Sequence, residues 1–133
     1  MSARVLTFAE FVQQQPAIQS DLQAGAALVH GHCHQKAFGA AASTKDILGS
    51  HAGLSATMIE SSCCGMAGSF GYQKDTDTVS RDMAELSLAP AVRAASQDTQ
   101  IVADGFSCRC QIKEVTDRKA ESLAIVLDRI ISQ

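Results

Sequence analysis

Five cysteines and four histidines are the residues of this 133-residue chain best suited to chemistry. Cys63 and Cys64 are adjacent in ESSCCGMAGSFGY, where small, bendable residues follow them. Cys33 stands earlier, in HGHCHQK, and Cys108 and Cys110 stand later, in DGFSCRC. Thiolates gathered from separate segments can hold an iron–sulfur cluster or a tetrahedral zinc ion. The cysteines therefore indicate a metal or redox site.

A disulfide framework is the main alternative use of so many cysteines. The first residues, MSARVLTFAEFVQQQ, lack the apolar core of a secretory signal, and no apolar run approaches the roughly 18 residues of a membrane span. We therefore expect a cytoplasmic protein without a membrane span. The cytosol keeps thiols reduced, and an odd number of cysteines cannot close into pairs. These points favour metal binding or redox chemistry.

The composition predicts one folded domain that does not bind nucleic acid. The length suits a single domain over residues 1–133, and 46% of the residues are hydrophobic. The net charge is −3, the lysines and arginines are scattered, and one tyrosine without tryptophan offers little surface for stacking on bases.

Three short apolar runs each lead directly into a cysteine motif. AALVH (Ala26–His30), ATMIE (residues 56–60) and QIVAD (residues 100–104) are predicted to be buried strands. Helical segments between them predict an α/β fold, a small parallel sheet with flanking helices. Cysteine-bearing loops would then lie together at the carboxyl ends of the strands, where open α/β sheets bind ligands.

The predicted helices occupy residues 35–48 and 79–95, and Pro90 should kink or split the second one. Its expected inner face contains Val79, Met83, Leu86 and Pro90. Two further packing helices are predicted from apolar stripes near the ends of the chain, Phe8, Phe11 and Val12 at one end and Leu123, Val126, Leu127, Ile130 and Ile131 at the other.

The predicted sheet edge collects four candidate metal ligands: Cys33, Cys63, Cys64 and Cys108. Adjacent cysteines are not the C-x-x-C knuckle of zinc ribbons, nor the spacing of bacterial-type ferredoxins. Two neighbouring thiolates are better suited to two corners of one cluster than to a small tetrahedron.

HGHCHQKA, SSCCGMAGSFGY and VADGFSCRCQI together resemble the cysteine-rich CCG domain. That domain occurs in heterodisulfide reductase B subunits, in the iron–sulfur subunits of glycolate oxidase and glycerol-3-phosphate dehydrogenase, and at the C-terminal end of large FAD-linked 2-hydroxy acid dehydrogenases. The resemblance is closest to the last group and extends from about Phe8 to the end. It implies that the four cysteines above ligate an iron–sulfur cluster or zinc within a flavin-dependent redox assembly.

The chain departs from the fuller family motif at its last cysteines. That motif ends in C-x-x-C, and Gly105 stands where the first of these cysteines is expected. Cys110 stands where the family has another residue type, so we expect a small buried hydrophobe there, with extra ligation as the alternative. Four thiolates fit one [4Fe-4S] cluster, our preferred cofactor, with zinc as the alternative.

Histidines and glycines surround the cysteines. His30, His32 and His34 flank Cys33; of these, His34 is favoured and His32 possible as an additional ligand, although supporting contacts beside the ligands are the commoner role. His51 is expected at the surface. The spacing of the glycines after Cys64 does not match a dinucleotide fingerprint. We expect instead a loop that wraps the cofactor and points N–H groups at sulfur, with Gly65, Gly68 and Ser107 as cofactor-binding residues.

Three functions compete on these residues. An electron-transfer domain would relay electrons to or from FAD on a flavoprotein domain or subunit, which explains why this sequence has no flavin- or nicotinamide-binding motif. A structural zinc module would dock onto such a partner. A thiol–disulfide catalyst would use Cys64 as a reactive thiolate. For the first two, we expect a domain or subunit of an oxidoreductase that turns over nothing alone.

Overall fold

The computed structural model describes residues 5–17, 25–61 and 63–132. The domain predicted over residues 1–133 therefore includes four stretches outside the described residues: 1–4, 18–24, 62 and 133. In the described part, no helix has the length and apolar character needed to cross a membrane.

Four parallel strands make up the sheet of the described residues. They are β1 (Ala26–His30), β2 (Ser55–Met58), β3 (Gln100–Ala103) and β4 (Ala120–Glu121), in the spatial order β2-β1-β3-β4. In β1, Val29 lies opposite Met58 of β2 on one side and Val102 of β3 on the other. The predicted α/β class and parallel sheet are confirmed. The two-residue strand β4 was not predicted, because so short an element has no periodicity to detect.

Seven α-helices flank this sheet among the described residues: α1 (Phe8–Gln13), α2 (Cys33–Ala37), α3 (Ala41–Ser50), α4 (Asp77–Glu85), α5 (Leu88–Ala94), α6 (Phe106–Thr116) and α7 (Leu123–Ile131). A 3-10 turn, Phe70–Tyr72, lies between β2 and α4.

Each long helix predicted between strands is in fact two helices. A single helix over residues 35–48 was wrong, because the chain turns at Gly39, whose φ of 72° is left-handed and ends α2. The predicted split near Pro90 is confirmed. Pro90 is the third residue of α5, in the first turn, where a helix has no use for the missing N–H.

The predicted inner face of α4 was also wrong. Leu86 is 77% exposed and Val79 is 50% exposed, whereas Ser80 and Ala84 are buried. Ser80 is held inward by Gln111, whose Nε2 donates to the carbonyl and the hydroxyl oxygen of Ser80, each at 3.1 Å. A polar contact thus sets the rotation of the helix, which the apolar pattern alone could not show.

Apolar side chains pack on both faces of the sheet. Alternate residues of the central strands divide between the two cores, as the period of a strand requires. One core contains Val29, Val102 and four of the five predicted α7 residues, Leu123, Val126, Leu127 and Ile130; Ile131 is exposed. The opposite core contains Ile101, Leu88, Val92 and Ile112 together with Cys64 and Cys108.

His51, expected at the surface, is buried at 4% exposure. It follows the last residue of α3, and its backbone N–H donates to the carbonyl of Ile47 at 2.8 Å. Its ring lines an apolar groove of about 330 Å³ that includes Phe8 and Leu127. The expectation of a surface position was wrong, because side chains of α1 and α7 line the same groove as His51.

Candidate metal centre

The carboxyl edge of the sheet gathers the cysteine motifs, as the parallel topology predicts. Cys33 is the first residue of α2, which follows β1, and Cys63 and Cys64 lie in the segment after β2. Cys108 is the third residue of α6, which follows β3. Cys33 and Cys108 therefore lie in the first turns of the helices that follow β1 and β3.

The centre of the site is a buried group formed by His30, Cys64 and Cys108. Their potential ligand atoms all lie within 4.8 Å of one another, and the Sγ atoms of Cys64 and Cys108 are 3.3 Å apart. The three residues are 2%, 6% and 1% exposed. Side chains from the end of β1, the segment after β2 and the start of α6 thus meet in one place.

The two buried thiols share one proton. The Cys108 thiol donates to the Cys64 sulfur, and this bond, with smaller help from His30 and the Met66 N–H, lowers the pKa of Cys64 to about 4. The same bond raises the pKa of Cys108, as do burial and the negative charges of Cys64, Cys33 and Cys63. We therefore expect the metal-free pair to hold one proton at neutral pH, with Cys64 as the thiolate and Cys108 as the thiol.

Cys33 and Cys63 lie around this buried group without belonging to it. Cys63 is half-buried, and its Sγ accepts a hydrogen bond from the Gly65 N–H at 3.3 Å. Cys33 is exposed. Both are near enough to Cys108 for their charge to affect its pKa. The site thus has two buried thiols and two nearer to solvent.

Of the two further predicted ligands, His32 lies beside the buried group and His34 follows Cys33 on α2. The N–H of His34 donates to Nδ1 of His32 at 3.3 Å, and His34 is exposed. The His32 ring packs over Gly105: a Cβ added at Gly105 would lie 2.5 Å from that ring and 2.9 Å from the Cys108 sulfur. The imidazole of His32 thus fills the space beside Cys108 that a side chain at position 105 would need.

Cys110 is half-buried on α6 and lies outside the buried group. Its side chain hydrogen-bonds the Tyr72 hydroxyl, which raises the pKa of that tyrosine. Cys110 on α6 therefore lies beside Tyr72, an exposed residue of the 3-10 turn Phe70–Tyr72.

His30 is the site residue whose importance was least clear from the sequence. There it is only one of the histidines around Cys33, and His34 is the one favoured for direct ligation. The signal for His30 was its place in the strand: Leu28 and His30 are two apart, so both point to one face, and Leu28 packs against the core that contains Cys64 and Cys108. In β3, Ala103 lies opposite His30 and belongs to the same core.

The glycine loop after Cys64 directs backbone N–H groups at sulfur. The Gly65 N–H donates to Cys63, and the Met66 N–H to Cys64. Gly65 has a φ of 91°, and a Cβ there would lie 2.0 Å from the Ser80 carbonyl oxygen, so only glycine fits. Gly68, with a φ of 68°, is exposed and has open space around it. Ser107 is half-buried in the first turn of α6.

Asp104 connects the elements that carry the site. Its carboxylate accepts from Gln35 Nε2 at 2.8 Å and from the Leu123 N–H at 2.9 Å. Gln35 in turn accepts from the His32 N–H at 2.9 Å. One carboxylate at the end of β3 therefore fixes α2, which begins with Cys33, relative to β3 and α7.

The donor set fits a soft metal centre. Thiolate and imidazole are the ligands that zinc and iron–sulfur clusters use. A tetrahedral zinc ion with Zn–S bonds of about 2.3 Å needs sulfurs roughly 3.8 Å apart, close to the separation of Cys64 and Cys108. A [4Fe-4S] cluster takes four thiolates, a number that Cys33 and Cys63 complete.

Comparison with known proteins finds two kinds of relative. Over 67 residues, 50% of this chain, it is 36% identical to D-2-hydroxyglutarate dehydrogenase of Pseudomonas putida, covering 6% of that protein. Over 94 residues, 69% of this chain, it is 30% identical to the C subunit of anaerobic glycerol-3-phosphate dehydrogenase from Escherichia coli K12, covering 23% of that polypeptide.

The matched region spans less than a quarter of either relative. No protein-family model matches the chain, and no solved structure matches it. The chain is therefore similar to a part of each of two dehydrogenase proteins, and it carries a cysteine and histidine group that could bind a metal.

Proposed function

We propose that this chain is an iron–sulfur electron-transfer module of a flavin-dependent 2-hydroxy acid oxidoreductase, built as a CCG-type domain. Cys33, Cys63, Cys64 and Cys108 would hold a [4Fe-4S] cluster. The observation that carries the proposal is the buried group of His30, Cys64 and Cys108 at the carboxyl edge of the sheet, with two more cysteines around it. Similarity to two dehydrogenase proteins supports the oxidoreductase assignment.

The chain's own residues prepare such a site in three ways. Cys64 and Cys108 are anchored in the apolar core, which excludes water from one side of the site. The low pKa of Cys64 keeps a thiolate available for metal at neutral pH. The N–H groups of Gly65 and Met66 stabilise negative sulfur, which favours the reduced form of a bound centre.

A bound cluster would supply one-electron chemistry, and its partner would supply the flavin. The sequence contains no flavin-binding motif, so we assign FAD to another domain or subunit. Cys33 is exposed, so the site has one side open toward a partner. Four reduced thiols require a reducing compartment, and we therefore propose a cytoplasmic location.

Zinc is the second candidate, because of one specific observation. The buried group is compact, with ligand atoms within 4.8 Å and two sulfurs 3.3 Å apart, which suits a single ion. With zinc, the chain would be a structural module that docks onto its oxidoreductase partner.

The deciding experiment measures iron, sulfide and zinc in protein purified without oxygen, together with the visible spectrum. We expect about four iron and four sulfide per chain and a broad band near about 400 nm that dithionite bleaches. Cys64→Ser should lose both iron and band, whereas Cys110→Ser, its matched control on α6, should keep them. One zinc without iron, even after anaerobic reconstitution, would replace the cluster proposal by the zinc module. Protein that binds neither metal would contradict both.

A further inference from the structure

A line of polar groups leads from the surface to the buried thiols. The Lys36 ammonium donates to the backbone carbonyl of Ser61 and, at 3.2 Å, to the Ser61 hydroxyl oxygen. The same hydroxyl lies 3.0 Å from Nδ1 of His30. Ser61 engages Nδ1, and His30 also hydrogen-bonds the Cys64 sulfur, so we assign this second contact to Nε2.

The Lys36 ammonium group influences which partner donates in the hydrogen bond between Ser61 and His30. A hydroxyl has one proton and two acceptor lone pairs, and an ammonium group can only donate, so Lys36 occupies a lone pair of Ser61. The bond to a cation also polarises the hydroxyl and makes it a better donor. Among the described residues, His30 Nδ1, at 3.0 Å, is the one acceptor found within hydrogen-bond distance of the Ser61 hydroxyl, so we assign the Ser61 proton to it. A neutral imidazole that accepts at Nδ1 carries its proton on Nε2.

We propose that Lys36 is a positioning residue that acts through Ser61 to hold His30 in its Nε2–H form. His30 then donates a hydrogen bond to the Cys64 sulfur and is not a metal ligand. This inference rests on the proposed function, because it assigns the part that His30 plays beside the metal-binding thiols.

The packing around Lys36 supports its contact with Ser61. Lys36 and Ser61 are both half-buried, and His30 is 2% exposed. A Cβ added at Gly31 would lie 3.2 Å from the Lys36 Cε and 2.8 Å from the Ala41 Cβ. The lysine stem therefore lies close along the backbone next to His30, in space that glycine leaves free.

Removing His30 has a different effect if it donates a hydrogen bond to sulfur than if it binds the metal directly. An N–H bond to a metal-bound thiolate withdraws negative charge from sulfur and raises the reduction potential of the centre. Removing such a donor lowers the potential but leaves the metal in place. Removing a ligand lowers the metal content instead. The two roles of His30 can therefore be separated by experiment.

The first test needs no metal. In reduced, metal-free protein, proton–nitrogen correlation spectra of the His30 ring report which nitrogen carries the proton. We expect Nε2–H in the wild type, loss of at least half of that form in Lys36→Met, and retention in Lys36→Arg, which keeps the cation. Lys45→Met, an exposed lysine of α3, is the matched control and should change nothing. Nδ1–H in the wild type, or no change in Lys36→Met, would overturn the proposal.

The second test uses metal-loaded protein. His30→Gln keeps an N–H donor and should keep metal content and potential, whereas His30→Leu should keep the metal with a lowered potential. Loss of at least half of the metal in both variants would show that His30 is a ligand and would sink the inference. A wild type that loads no metal would instead contradict the proposed function, and the tautomer test above would still decide the role of Lys36.

Discussion

Two buried histidines, His30 and His51, each lie beside a serine hydroxyl, but the two serines have different further partners. In each, Nδ1 lies within hydrogen-bond distance of a serine hydroxyl, Ser61 at 3.0 Å and Ser50 at 2.8 Å. Ser61 accepts from Lys36, which leaves its proton for His30. Ser50 instead donates its proton to the Asp46 carbonyl at 2.8 Å, so it can only accept from His51.

The two rings therefore differ in the hydrogen-bonding character of Nε2, which is a donor in His30 and an acceptor in His51. His30 offers an N–H at Nε2 beside two thiols. His51 carries its proton on Nδ1 and offers a bare Nε2, which has no hydrogen-bond partner among the described residues. A third group, lysine in one place and a helix carbonyl in the other, decides what a serine–histidine pair can do. The end of the sheet that carries His30 is built for donation to sulfur, and the end of α3 is not.

The largest expected effect is on the free energy of unfolding, and it compares one glycine from each of these two regions. Gly65, in the cysteine loop, and Gly53, two residues after His51, both have positive φ, 91° and 63°. A Cβ at Gly65 would lie 2.0 Å from the Ser80 carbonyl oxygen, whereas at Gly53 it would meet nothing within 4 Å. Chemical denaturation should show that Gly65→Ala lowers the free energy of unfolding by more than about 3 kcal/mol and Gly53→Ala by about 1 kcal/mol. Equal losses would show that the cysteine loop yields as readily as the turn.

The sequence predicted the fold and the gathering of the cysteines better than it predicted individual contacts. The strand motifs and the order of the elements led correctly to a parallel sheet whose carboxyl edge collects them, because topology follows from chain order. Whether a cysteine is buried depends on packing between distant segments. Cys64 and Cys108 are buried while Cys33 is exposed, and nothing in their spacing distinguishes them.

The histidines show the same limit. The sequence favours His34 as a ligand and predicts His51 at the surface, but His30 lies with the thiols and His51 is buried. Leu28 and His30 share a strand face, a signal that was present in the sequence. The burial of His51 depends on α1 and α7 packing over the end of α3, a tertiary contact that no local pattern encodes.

The second-largest expected effect is the change in stability when each of the two imidazole rings is removed. His30→Leu removes the nearest acceptor for the Ser61 hydroxyl proton and one of the donors to the Cys64 thiolate, so we expect a loss of about 1–3 kcal/mol in the unfolding free energy of the metal-free protein. His51→Leu removes the hydrogen bond from Nδ1 to Ser50 but also removes a buried acceptor, Nε2, that has no partner among the described residues; the two effects offset, so stability should change by less than about 0.5 kcal/mol. Thermal or denaturant unfolding of both variants measures the difference. A larger loss in His51→Leu would show that its Nε2 has a partner beyond the described residues.

The third prediction concerns pH and applies only to the His30 region. The pKa of Cys64 is lowered to about 4 from an ordinary value of about 9, so in reduced, metal-free protein one thiolate should persist until the pH falls through about 4. Thiolate absorbance in the ultraviolet measures it, and Cys64→Ser should abolish it. Between those pH values the unfolded chain binds more protons, so Cys64 contributes stability that increases as pH rises toward 9 and is lost toward 4. Above about 9 the sign reverses, because Cys108, with its raised pKa, keeps a proton that the unfolded chain releases.

The smallest expected effect tests the rule that a third group sets the direction of a serine–histidine pair. Ser50→Ala removes the acceptor of the His51 Nδ1–H, so His51 should become a mixture of both neutral forms at a stability cost of about 1 kcal/mol or less. The His30 ring should keep its Nε2–H, because its serine is a different one. Ser61→Ala is the matched change: it should release the His30 tautomer and leave His51 alone. Ring proton–nitrogen spectra of the two variants give all four readings. If Ser50→Ala leaves His51 in its original form, the ring is set by its apolar surroundings and not by the serine, and the contrast between the two sites rests on Lys36 alone.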